Sequence, residues 1–160
     1  MCTLFRGASG PTYAEPLQHV VNVVGTLGTT DAGERQFTGP VVVIVAAHDP
    51  LAPLGMPNLW VGGADFGTPP LGQYGVTEGF GLNTVGLLIS TWGRVIDAGS
   101  GYAVIDDGSG KPVRVDTTTL ADAPEMDEYV TVIGISSLYK PDANRLRLVL
   151  PRDDADITRP

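Results

Sequence analysis

The run GYAVIDDGSGKPVRV, residues 101–115, restricts the fold more than any other part of the chain. Tyr102, Val104 and Asp106 fall on one side of an extended backbone, and Ala103, Ile105 and Asp107 on the other, because successive strand side chains point to opposite faces. Val113 and Val115 resume that alternation around Arg114. Between the two strands, DDGSGK supplies the side-chain caps and positive φ that a tight hairpin requires. Asp106, Asp107 and Ser109 lack the alternating oxygen ligands of an EF-hand calcium loop. A phosphate cradle would lead into a helix, whereas Pro112 opens a strand. The stretch therefore predicts a chain reversal rather than a ligand site.

Its flanks extend the pattern. VGLLISTWGRVIDAGS, residues 85–100, predicts a long strand with Val85, Leu87, Ile89 and Thr91 on one face and Gly86, Leu88, Ser90 and Trp92 on the other. Gly93 interrupts it at a point where a strand can bend. After the polar connection TTTLADAPEMDE come YVTVIGISSLY, with a second bending point at Gly134, the turn KPDAN, and RLRLVLP. In the last of these Leu146, Leu148 and Leu150 alternate with Arg145 and Arg147. The 21 Gly, the 13 Pro and short runs of β-branched residues favour many strands and turns over helices. The expected fold is all-β, with a five-stranded Greek-key barrel of the OB type over about residues 84–157.

The run WGRVIDAGSGYAVIDDGSGKPVRVD followed by YVTVIGISS resembles OB-fold domains of the nucleic-acid-binding type. It is more similar still to uncharacterised OB-bearing regions of large bacterial extracellular proteins, which also carry segments like PLGMPNLWVGGADF and GVTEGFGLNTVGLLISTWGRV. The resemblance spans about residues 51–157. It implies an OB barrel and an extracellular or cell-surface location, but no activity. The first ten residues, MCTLFRGASG, are too short for the apolar region of a secretory signal.

The two ends of the chain are alike. VVNVVGTLGTTDAGER, residues 20–35, matches YVTVIGISSLYKPDANR, residues 129–145, with Val21 and Val23 on Val130 and Val132, Gly25 on Gly134, and, once two residues are inserted, Asp31 and Ala32 on Asp142 and Ala143. Residues 1–50 accordingly read as a β-hairpin region resembling half of a second OB unit. PVVVIVAAH within it is expected to be a continuous apolar strand buried on both faces. Residues 51–83 form a Gly/Pro-rich connecting segment studded with Trp60, Phe66, Tyr74 and Phe80, and residues 84–160 hold the barrel.

Function is less legible. A net charge of -8 with only 10 basic residues argues against nucleic acid as a partner. No G-x-S-x-G elbow is present, and His19 and His48 stand beside apolar strands without Cys or His at ligand spacing, so neither catalysis nor a cofactor is implied. Asp153, Asp154 and Asp156 read as a solvated tail. Cys2, the single cysteine, excludes an intrachain disulfide framework. No apolar run approaches the roughly 20 residues that span a bilayer as a helix. The expected role is a non-catalytic structural subunit that self-associates, as a homo-oligomer or filament, through Val41, Val43, Val45, Trp60 and Phe66. The alternative is an OB-type module that binds oligosaccharide or single strands on Trp92, Tyr102, Tyr129 and Tyr139.

Overall fold

The computed structural model describes residues 19–68 and 71–160, and they are all-β. Cys2 and the rest of residues 1–18 lie outside the described residues. Among the described residues β1 (His19–Thr29) and β2 (Arg35–Ala47) pair only with each other, antiparallel. β3 (Leu54–Gly55), β4 (Leu88–Gly99), β5 (Tyr102–Asp106), β6 (Val113–Asp116), β7 (Tyr129–Tyr139), β8 (Leu146–Leu150) and β9 (Ile157–Thr158) make a second sheet.

The second sheet closes on itself. Around the ring β4 pairs with β5, β5 with β6, β6 with β8, β8 with β7, and β7 again with β4. All these pairs are antiparallel except β6–β8, so the five main strands form a Greek-key barrel. Two short strands cover what the ring leaves open. β3 pairs with β4 at Ile89 and Ser90, before β5 begins, and β9 pairs with β7 at Thr131 and Val132, beyond the end of β8.

The interior follows the period-two pattern of the central hairpin. Ala103, Ile105, Val113 and Val115 are buried with Ile89, Val95, Val130, Val132 and Val149, a set of small branched side chains suited to a narrow barrel. Met56 and Val61 belong to the same cluster, so the Gly/Pro-rich segment supplies part of the core. On β8 the buried residue is Val149, whereas Leu146 is exposed. The leucine stripe in the sequence therefore does not mark the inner face. Parallel pairing sets Val149 beside Val115, which aligns two inward valines and turns the leucines away. Arg147 shares the inward row at the barrel's end, where its Nη2 donates to the Leu59 carbonyl and burial pushes its guanidinium pKa down.

The N-terminal strands depart from expectation. Val41, Val43 and Val45 are not buried on both faces but are 63%, 56% and 56% exposed. The β4–β7 pairing has already closed the barrel, and β3 and β9 cover its remaining edges, so among the described residues no long edge is open to receive the hairpin.

Candidate functional site

The exposed feature that most needs explanation is the β1–β2 ribbon. Residues 19–30 and 36–47 contain no Asp, Glu, Lys or Arg. Val24 pairs with Val41, Asn22 with Val43 and Val20 with Ala46, which sets Val20, Val24, Val41 and Val43 on one face. Val21 pairs with Ile44 and Val23 with Val42, making the other face apolar as well. β-branched residues explain why the strands form, and the TTDAGER turn explains why they reverse. Thr30 N donates to the Glu34 carbonyl at 2.8 Å, Gly33 N donates to the Thr30 carbonyl at 2.9 Å, and Gly33 takes a φ of 94° that a Cβ would resist. An isolated two-stranded ribbon is at best marginally stable in water.

This ribbon is held at its tip. The Glu34 carboxylate is buried and accepts hydrogen bonds from the Ser137 hydroxyl, at 2.6 Å, and from the Leu138 N–H. Gln73 of the coil adds to the clasp, accepting from Arg35 N at 2.8 Å while its amide donates to the Gly33 carbonyl. Gly33 also lies against the Tyr74 ring, and Arg145 stacks on that ring. Burial pushes the Glu34 carboxyl above the ordinary carboxylate range, and the bonds from Ser137 and Leu138 offset only part of that. A raised pKa means that the docked state binds the proton more tightly than the undocked one. Docking therefore strengthens as pH falls toward the ordinary carboxylate value and weakens as pH rises through the raised one. Hydrogen-exchange protection of the Leu138 amide, corrected for intrinsic rate, should rise between pH 7 and pH 5 and should be flat in Glu34→Gln. A flat profile in the native protein would contradict this assignment.

The four aromatic residues expected to form a stacking platform are split into two places. Tyr102 and Tyr139 flank Arg114, whose guanidinium lies 4.0 Å from one ring centroid and 4.5 Å from the other. Their facing surfaces are thus taken up by an internal cation–π sandwich. Trp92 and Tyr129 are exposed on adjacent strands, where Trp92 pairs with Thr131 and Tyr129 with Arg94. Tyr139 stands ten positions along β7 from Tyr129, roughly 30 Å along an extended strand. Of the coil aromatics, Phe66 forms a bridge with Gln73 and so sits near the clasp, while Trp60 ends a 3-10 turn, Asn58–Trp60. Both are exposed, and neither lies on the ribbon.

The acidic groups serve the fold. Asp106 accepts from Gly108 N and Gly110 N, and Asp107 from Ser109 N, the pattern of a side-chain-capped turn. The second Asp107 oxygen accepts from Asn58 N at 2.9 Å, tying the coil to the barrel. Partial burial pushes that carboxyl up, but the hydrogen bonds from Ser109 and Asn58 outweigh it and hold it below its ordinary value. The C-terminal aspartates are not a solvated tail. Asp153 caps a turn through Ala155 N, Asp154 accepts from Ala121 N and Asp122 N, and the buried Asp156 pairs with Arg152. Among the described residues no group of three or more His, Cys, Asp and Glu could hold a metal ion. His48 is exposed, with Nδ1 2.7 Å from the Asp49 carbonyl oxygen, and His19 begins β1. No helix among the described residues is long and apolar enough to cross a membrane.

No family model matches the chain, and no curated protein matches it. Glu34 has no signal in the sequence, because an acidic residue in a turn between apolar strands looks the same whether it is solvated or buried. Val20 and Val24 did have one, the unbroken absence of charge from residue 19 to residue 30.

Proposed function

We propose that this protein is a non-catalytic structural subunit that self-associates through the β1–β2 ribbon. The barrel is read as an OB-type module and the location as the cell exterior, both on the resemblance of residues 51–157. One observation carries the reading. The ribbon is uncharged over residues 19–30 and 36–47, apolar on both faces and, among the described residues, anchored at its tip, with Val24 72% exposed. An exposed apolar patch of this kind is characteristic of a surface that another protein covers. The alternative, an oligosaccharide- or single-strand-binding module, draws less support, because Arg114 occupies the facing surfaces of Tyr102 and Tyr139. Arg94, Arg152 and Arg159 are likewise engaged in ion pairs with acidic groups.

Multi-angle light scattering from micromolar to high micromolar concentration tests the proposal. The native chain should gain mass with concentration, while Val41→Lys/Val43→Lys should remain monomeric with its barrel intact. A native chain that stays monomeric throughout would overturn the self-association reading. Micromolar binding of a fluorescent single-stranded oligonucleotide that weakens steeply with salt would favour the binding module instead.

A further inference from the structure

The self-association reading leaves open which part of the ribbon meets the partner. Among the described residues each strand pairs along one edge only, with the other strand of the ribbon. β2 carries the extra residue at both irregularities of the ribbon: at Gly39 and Pro40, where Gly39 takes a φ of 59° and Pro40 has no N–H to donate, and again at Val45. Proline on an edge strand protects it against further pairing. β1 has no proline and no charged residue, so its outer edge carries none of the usual obstacles to another strand.

The barrel contains a counterpart. Residues 20–26 of β1 match residues 129–135 of β7, valine for valine at Val21 and Val23 and glycine for glycine at Gly25. In β7 the edge facing away from β8 is not open. β4 runs antiparallel along it, with Arg94 opposite Tyr129 and Leu88 opposite Ile135. Val130 and Val132 are buried there at 2% and 0% exposure, while the matching Val21 and Val23 are only half-buried. Among the described residues, the edge of β1 without a strand beside it is therefore the edge that β4 covers in β7.

Charge and topology indicate what that neighbour is. The whole chain carries a net charge of -8, so two copies repel except where both surfaces are neutral, as they are along the ribbon. A charged partner would find nothing there to pair with. The partner's barrel is closed, which leaves its own ribbon as the long open edge among the described residues.

We propose that the outer edge of β1, over Val20–Thr26, pairs with β1 of a second copy. The two strands run antiparallel across a two-fold axis and build one four-stranded sheet. Such an interface is self-complementary, each residue meeting its partner reciprocally about the axis. Four strands also exceed the two that are marginal alone.

The proposal rests on the self-association reading, and disulfide mapping separates the two. In a Cys2→Ser background, single cysteines are placed at Val20, Asn22, Val24 and Thr26 on β1, and at Val41, Val43 and Val45 on β2. The proteins are oxidised at a concentration where the native chain is associated. Only residues close to the axis bring two copies of one position within disulfide range, so dimers should form at one or two β1 positions and at none on β2. Cross-linking confined to β2, or equal at all positions, would overturn the β1 edge while leaving self-association intact. A second measurement requires no substitution. Alternate amides of β1 should gain hydrogen-exchange protection as concentration rises, and amides of β2 should not. Association without that gain would likewise overturn the proposal, and a monomer at every concentration would overturn the self-association reading beneath it.

Discussion

Gly93→Val should lower the stability of the barrel by about 3 kcal/mol, the upper part of the range for overpacking a core. Gly93 sits on the inward row of β4 between Thr91 and Val95. A Cβ built there would stand 2.7 Å from the Asp106 carbonyl carbon and 2.9 Å from its nitrogen. The obstacle is backbone and cannot turn aside, so β4 and β5 would have to part where their ladder begins at Arg94 and Asp106. The sequence points to glycine here as a bending point, and the structure adds a stricter reason in the close approach of the neighbouring strand. Urea unfolding at one fixed, low protein concentration measures the effect and keeps self-association out of the comparison. Gly93→Ala should already lose stability, and an unchanged midpoint in both variants would contradict the approach of β5.

Asn58→Ala should cost about 3 kcal/mol, through groups left without partners rather than through lost contact area. The Asn58 side chain is fully buried beneath the coil. Its Nδ2 donates to the Ile105 carbonyl at 3.3 Å, and its Oδ1 accepts from the Thr91 hydroxyl at 2.7 Å, so one amide joins the coil to β4 and β5. Truncation orphans a hydroxyl and a carbonyl inside the barrel. A double-mutant cycle isolates the mechanism: Thr91→Val should be much less costly in the Asn58→Ala background than in the native chain, because the hydroxyl it removes is already unsatisfied. Equal costs in the two backgrounds would show that Asn58 acts through packing alone.

Asn58 shows how a Gly/Pro-rich segment becomes part of a barrel. Asn58 is polar and flanked by Pro57 and Leu59, and in sequence it is indistinguishable from a loop residue. It is buried because Asp107, 49 residues away, accepts from its backbone N–H while Thr91 and Ile105 take its side chain. Glu34 is a parallel case, with Ser137 and Leu138 as distant partners. Of the expected assembly residues, Val41, Val43 and Val45 share the ribbon, whereas Trp60 and Phe66 lie on the coil.

The local part of the fold is legible in the residues alone. Alternation at Tyr102–Asp106 and Val113–Asp116, with DDGSGK between them, specifies a hairpin and its buried face, because period-two patterning and turn chemistry act between residues close in the chain. The sequence also specified a neutral, apolar N-terminal ribbon. Only the tertiary structure decided which side of β8 faces inward, since the leucine stripe and Val149 are competing local signals, and the parallel pairing with β6 favours the valine. That the ribbon stays outside the barrel is likewise a matter of long-range packing. Ring closure by β4 and β7 joins strands about forty residues apart and, among the described residues, leaves no long edge free, and pairing over such a separation depends on the packing of the whole chain rather than on the pattern within any one strand.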